Sequence, residues 1–194
     1  MFKDLVIKNR SYRGYDESRN ITKEELLEIV DCARLSPSSI NGQPFKYYLA
    51  WESEQVTAIQ GMTKWARALP DMVLPHPGKC PTAFIVICQD TTFEKSLARY
   101  QKDVGIVAQT MLLAATEMGL GGCMIGNFGA ATVKETLGLS KELAPMLILA
   151  IGKPDEEIVL TEVGEDGSIA YYRDENDVHF VPKRSLEDVI FYNI

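Results

Sequence analysis

The residues best suited to chemistry in this sequence lie near its start. In NRSYRGYD, Asn9 to Asp16, two arginines bracket a serine and a tyrosine. Guanidinium forks bind phosphate or carboxylate oxygens two at a time, and a serine hydroxyl adds a further donor. Arg10, Ser11 and Arg13 therefore form a candidate anion site. The plainer alternative is a solvated helix end with two exposed arginines. Lys183-Arg184 is a second basic pair, either completing the same site or flanking a helix as surface charge.

The charge distribution says which kind of anion fits. The formal net charge is -7 over 194 residues. A nucleic acid partner is disfavoured, because phosphate-backbone binding needs a broad basic face. Residues 1–13 hold Lys3, Lys8, Arg10 and Arg13 against Asp4 alone, whereas residues 155–177 hold nine acids against Arg173. A basic patch this local suits a small anionic ligand. Apolar runs such as AFIVIC and PMLILAIG fall well short of the roughly 20 residues of a membrane span. The start, MFKDLVIKNRS, has no apolar signal core. The expectation is a soluble, cytoplasmic protein without a membrane partner.

Other residues carry weaker signals. Ser38, Ser39, Asn41 and Gln43 lie in the proline-bounded loop SPSSINGQP, where turn chemistry is the simpler reading and hydrogen bonding to a planar heterocycle the functional one. The glycines of GLGGCMIG do not make a dinucleotide loop. Gly119 and Gly121 would be the first two glycines of that fingerprint, but Met124 stands at the third, and a helix rather than a strand precedes. Cys32, Cys80, Cys88 and Cys123 show no metal-ligand spacing with each other or with His76 and His179, and read as free, mostly buried thiols. Both histidines read as exposed loop residues.

The elements that position these residues follow from periodicity. Residues 2–8 form a short helix. Asn20–Arg34 is a second helix, with Thr22 and Glu25 in a capping-box pattern and Leu26, Ile29, Val30 and Ala33 as its apolar stripe. Residues 45–51 read as a strand, 57–69 as a helix, and 69–81, with four prolines and one glycine, as irregular. Residues 82–89 form a strand covered on both faces. The longest helical pattern is 93–118, stopped by Gly119. A short helix at 130–137, a buried strand at 145–152 and a short helical pattern at the C-terminal end complete the order. No linker divides the chain, so 1–194 is one domain of the α/β or α+β class.

Taken together, these segments resemble the nitroreductase family of flavoproteins. NRSYRGYD is similar to that family's R-R-S-x-R opening, and SPSSINGQPFKYY to its P-S-x-x-N-x-Q-P-W loop and following strand. KDVGIVAQTMLLAATEMGLGGCMIG resembles its long central helix and glycine-rich turn, and VPKRSLEDVI its basic C-terminal segment. Two positions depart: Asn9 stands where the family often has a first arginine, and Phe45 where it often has tryptophan.

The resemblance implies an α+β fold with a central mixed, mostly antiparallel sheet flanked by helices. It also implies an intertwined homodimer with FMN in two interface clefts. Arg10, Ser11 and Arg13 would serve the FMN phosphate and nearby flavin edge, joined by Lys183 or Arg184. Pro37, Ser38, Ser39 and Asn41 would reach the flavin from the partner chain. Met124, Ile125 and Gly126 would lie along the isoalloxazine ring. NADH or NADPH would reduce the flavin, and a small electron-poor acceptor, a nitroaromatic or a quinone, would follow by a ping-pong mechanism. The flavin carries the reactivity, so no catalytic acid–base pair is expected. Arg13 is the candidate for stabilising the reduced flavin, and residues 69–81 and Trp65 would cover the cleft. The alternatives are a reductive dehalogenase-type member of the same fold and a non-catalytic FMN-binding protein for storage or sensing. Without the resemblance, a phosphometabolite-binding protein lacking flavin would also fit.

Overall fold

The computed structural model describes residues 1–192. Asn193 and Ile194, the end of the expected C-terminal helical pattern, lie outside the described residues. The elements are α1 (Phe2–Lys8), α2 (Lys23–Arg34), β1 (Phe45–Ala50), α3 (Ser53–Met62), β2 (Ala83–Asp90), α4 (Gln101–Glu117) and β3 (Gly121–Ile125). They continue with α5 (Ala130–Thr136), β4 (Leu143–Gly152), β5 (Ile158–Glu162), β6 (Tyr172–Arg173), β7 (His179–Lys183) and α6 (Leu186–Val189). The fold is α+β.

The central sheet has strand order β1-β2-β4-β3, with every pair antiparallel. β2 is buried at seven consecutive positions, as its unbroken apolar run requires. Its alternate side chains feed two cores. Ala83, Ile85 and Ile87 pack with Leu26 and Ile29 of α2 and Ala108 and Met111 of α4. Phe84, Val86 and Cys88 pack on the opposite face with Ile59 of α3, Val133 of α5 and Tyr15. Each fully buried Ile or Leu contributes about 1.5–3 kcal/mol. A second, three-stranded sheet, β5-β7-β6, holds the parallel pair β5–β7.

Local signals set most boundaries. Thr22 caps α2: its hydroxyl accepts from the Glu25 N–H, and the Glu25 carboxylate accepts from the Thr22 N–H. Gly119, at φ +74°, ends α4, with Leu120 N–H donating back to the Ala115 carbonyl.

Two expected helices are corrected. The helix expected at 57–69 lies at Ser53–Met62. It ends at Thr63 because Thr63 bridges Phe128 and Lys64 N–H donates to the Asn127 carbonyl, an extended pairing that no local pattern announces. The helix expected at 93–118 begins only at Gln101. Before it, Asp90 accepts from the Thr92 N–H and hydroxyl, and the Gln89 side chain donates to the Glu94 and Ser96 carbonyls, so polar side chains take the backbone groups that a helix would use.

The N-terminal segment crosses β3 at close range. Ser11 bridges Gly122 in parallel register, and Tyr12 N–H donates to the Gly122 carbonyl. A Cβ on Gly121 would stand 2.5 Å from a Tyr12 ring carbon, and one on Gly122 2.3 Å from the Ala150 carbonyl oxygen. No side chain fits at either position. Gly122→Ala is therefore expected to destabilise the protein by about 2–3 kcal/mol, read as a lower urea midpoint at unchanged slope. An unchanged midpoint would mean that β3 is not packed this tightly against β4 and Leu112 of α4.

Candidate active site

The segment lying on β3 forms one wall of a cleft of about 330 Å³. Arg10, Ser11 and Arg13 line it from the N-terminal segment, Met124 from β3, and Lys183 from the end of β7. These parts of the chain are far apart in sequence. They meet because β3 holds the N-terminal segment and β5, paired with β7, follows directly from β4.

The cations are held without being neutralised. Arg10 donates to the Val6 carbonyl at 2.9 Å, and its Nε is buried with no hydrogen-bond partner among the described residues. Arg13 donates to the Ser11 carbonyl at 3.3 Å, and its guanidinium stands 5.1 Å from the centre of the Tyr171 ring. Its Nε likewise has no partner among the described residues. Acidic charge is nearby but directed elsewhere: Glu156 accepts from the Arg13 backbone N–H and pairs with Arg173, both side chains at most 4% exposed. Arg173 also pairs with Asp177 at 2.9 Å, and Asp177 with His76 at 3.2 Å. Orphaned guanidinium donors, Lys183 and the Ser11 hydroxyl together fit a phosphate-bearing ligand.

Arg13, Met124 and Tyr171 also line a second, more open cleft of about 520 Å³. Ile125 and Gly126 lie here with Trp65, Lys64 and Arg67. The two clefts share the wall of Arg13, Met124 and Tyr171, so the cationic first cleft opens toward the second along the end of β3. Trp65 lines this second cleft, with its indole N–H donating to the Thr63 hydroxyl at 3.0 Å. No residue of 69–81 lines either cleft; His76 and Lys79 face a third cavity behind Arg13.

Of the C-terminal basic pair, Lys183 lines the first cleft and the exposed Arg184 does not. The 37–41 loop stands apart from that cleft within one chain. Ser38 hydroxyl and Ser39 N–H both donate to the buried Asp103 carboxylate, at 2.8 and 2.7 Å. Ser38 faces a separate cavity of about 130 Å³. Pro37 precedes it, and Ile40 and Asn41 take left-handed φ of 50° and 55°. Left-handed φ in a β-branched residue is costly, about 1–3 kcal/mol, and concentrates at functional loops.

Several site residues were not visible in the sequence. Asp103 left a faint trace, a charge on the core side of a long apolar helix. Glu156, Arg173 and Tyr171 left none: Glu156 and Tyr171 stand just outside strands, and Arg173 ends a strand of two residues. His179, expected as an exposed loop residue, is instead a buried member of β7 that lines the first cleft. All four cysteines are free as expected, but only Cys88 and Cys123 are buried, whereas Cys32 and Cys80 are half-buried; burial pushes the thiols of Cys88 and Cys123 up to about 11.

Burial, then Arg13 and Arg173 nearby, lower His179 to about 4, against the opposing pull of Asp177. An unfolded histidine takes up its proton near 6.5. Between those values the unfolded chain binds more protons, so stability is full above about pH 6.5 and falls toward pH 4. The loss expected in the ligand-free protein is roughly 2–3 kcal/mol. Urea unfolding at pH 7.5 and 4.5 of the native chain against His179→Phe should show this extra acid loss in the native chain alone; parallel losses would refute it.

The sequence model described as the nitroreductase family matches residues 6–153. An oxygen-insensitive NADPH nitroreductase of Helicobacter acinonychis is 27% identical over 164 residues, covering 70% of this chain and 78% of that one. A crystal structure of a nitroreductase family protein from Streptococcus pneumoniae TIGR4 superimposes with a TM-score of 0.72 at 16% identity, over 100% of both chains. A protein of Exiguobacterium sibiricum solved in complex with FMN has a TM-score of 0.67 at 22% identity, over 80% of this chain and 89% of that one. With a family match spanning most of its length and the fold to go with it, the chain belongs to the nitroreductase family.

Proposed function

We propose that this chain is an FMN-dependent NAD(P)H oxidoreductase that reduces electron-poor acceptors such as nitroaromatics or quinones by a ping-pong mechanism. It works as a single domain, 1–194, in a cytoplasmic homodimer. The observation that carries the reading is the convergence of Arg10, Arg13 and Lys183 on a cleft that continues along β3 past Met124. The FMN-bound Exiguobacterium protein and the Helicobacter NADPH nitroreductase support it from the side of the family. Among the described residues no helix is long and apolar enough to cross a membrane. Exposed Phe2, Leu186, Phe191 and the outward Ile106 of α4 give apolar surface for a partner chain to cover.

When bound, FMN supplies the redox chemistry, passing a hydride equivalent from nicotinamide to acceptor. The chain binds and orients. Arg10, Ser11 and Lys183 hold the phosphate. Met124, Ile125 and, just past the strand, Gly126 lie along the ring at the end of β3. Pro37, Ser38, Ser39 and Asn41 approach it from the partner chain, with Asp103 fixing their loop. Arg13, fastened by Glu156 at its backbone and by Tyr171 at its guanidinium, keeps a positive charge where the two clefts meet and favours the more negative, reduced cofactor. Trp65 shields the acceptor side.

The deciding test is an anaerobic visible spectrum of the FMN-reconstituted protein before and after NADPH or NADH. Rapid bleaching of the bound-flavin band is the expected result; a band that neither nucleotide bleaches would indicate a non-catalytic binder. Arg13→Ala should lower the flavin midpoint potential by about 30 mV, a tenfold change for a two-electron couple, and an unchanged potential would remove that role. Lys183→Ala should weaken FMN binding about tenfold or more, the loss of one charge-assisted contact, while Arg184→Ala leaves it unaltered; the reverse pattern would reassign the phosphate to Arg184.

A further inference from the structure

His179 is the least expected residue of the first cleft. Its backbone is fixed on both sides: β7 pairs it with Ile158 of β5 and Arg173 of β6, and its N–H donates to the Glu157 carbonyl at 2.9 Å. The residue is 2% exposed, and its ring meets Tyr171 edge-on with centroids 5.3 Å apart. Tyr171 is thereby held between His179 and the Arg13 guanidinium. The imidazole stands in the cleft wall with Arg10, Arg13 and Lys183, yet neither ring nitrogen has a hydrogen-bond partner among the described residues.

A buried polar group left unpaired costs about 1–3 kcal/mol. The neighbours do not relieve it. Neither guanidinium hydrogen-bonds the ring: Arg173 pairs with Glu156 and Asp177, and Arg13 lies against the Tyr171 face and donates to the Ser11 carbonyl. The cleft itself is where a partner can stand. Burial beside two guanidinium groups keeps the ring neutral at pH 7, and a neutral imidazole has one donor and one acceptor nitrogen. Phosphate oxygens call for donors and charge, which the arginines and Lys183 already supply. A hydroxyl both donates and accepts, and matches a neutral imidazole at either nitrogen.

We propose that His179 is a cofactor-binding residue that hydrogen-bonds a hydroxyl of the flavin's ribityl chain, between the cationic phosphate end of the cleft and the ring surface of β3. The proposal rests on the flavin reading above. It separates two tasks within the cleft: cations for the phosphate, and an uncharged imidazole for the polyol.

Titration of the full-length protein with FMN and with riboflavin, which lacks the phosphate, tests it. His179→Phe keeps an aromatic ring and removes both nitrogens. It should weaken FMN and riboflavin by a similar factor, about tenfold, the loss of one hydrogen bond. Lys183→Ala should weaken FMN and leave riboflavin nearly unchanged. His179→Gln, which retains a donor and an acceptor, should recover most of the affinity. The flavin-free His179→Phe protein should melt no lower than the native one, because an unpaired buried polar group has been removed; a residue kept only for packing would lose stability instead. Should Phe prevent folding, His179→Leu makes the same comparison against His179→Gln. Undiminished binding of both flavins by the apolar variant would overturn the proposal, and so would a loss confined to FMN, which would put His179 at the phosphate. A native protein that binds neither flavin would overturn the flavin reading and this inference together.

Discussion

Gly121 and Gly122 set the distance on which the candidate site depends. With no Cβ on Gly121, the Tyr12 ring lies directly on β3; with none on Gly122, β3 closes onto β4 and Leu112 of α4; and Gly152 makes the matching room for the Tyr15 ring, 2.7 Å from where its own Cβ would stand. Arg10 and Arg13 then emerge beside Met124 rather than a side chain's width away. The glycine-rich turn is thus neither a phosphate loop nor merely a helix stop. It seats the cation-bearing segment against the strand that forms the ring surface, and Tyr15, fully buried with its hydroxyl donating to the Tyr12 carbonyl, locks that seat from below.

The acidic stretch then has a role that its net charge conceals. A chain with formal charge -7 would be expected to repel an anion. The acids nearest the cleft are turned inward: Glu156 is consumed by Arg173 and by the backbone of Arg13, Asp177 by Arg173 and His76. A buried ion pair of this sort adds little net stability, because desolvation offsets attraction. What it supplies is position. The pair ties Glu156, just ahead of β5, to β6 and to the N-terminal segment at once, and leaves the Arg10 and Arg13 guanidinium groups as the positive charge facing the cleft.

What was legible in the sequence was what local chemistry determines. The Thr22–Glu25 capping box, the Gly119 stop, the doubly buried β2 and the arginine–serine cluster are each carried by residues that act within a few positions of themselves. What was not legible depended on distant partners. Thr63 and Lys64 leave the helix to pair with 127–128, and residues 93–100 lose helical form to Asp90 and Gln89. Strands β5, β6 and β7 are five, two and five residues long and mostly half-exposed, and none alternates apolar with polar, so they do not rise above the acidic charge pattern around them. His179 was misplaced for the same reason: its burial comes from Tyr171 and Ile158, which sequence neighbours do not reveal.

The two halves of the expected flavin site also sit differently on α4. Asp103, in its first turn, holds the Ser38–Ser39 loop, while Leu112 further along lines the cleft of Arg10 and Lys183. At 1.5 Å per residue these positions are about 14 Å apart along the axis. The loop is pinned by a buried carboxylate and shaped by left-handed residues, so it is not free to swing that distance within its own chain. The proposed approach of Pro37, Ser38, Ser39 and Asn41 to a flavin from a second molecule accounts for both facts: the loop stays pinned on its own α4 and serves the cleft of a partner chain. The proposed homodimer would thus bring together two halves that one α4 holds at different heights, with the buried Asp103 carboxylate setting the position of one and the cleft beside Leu112 that of the other.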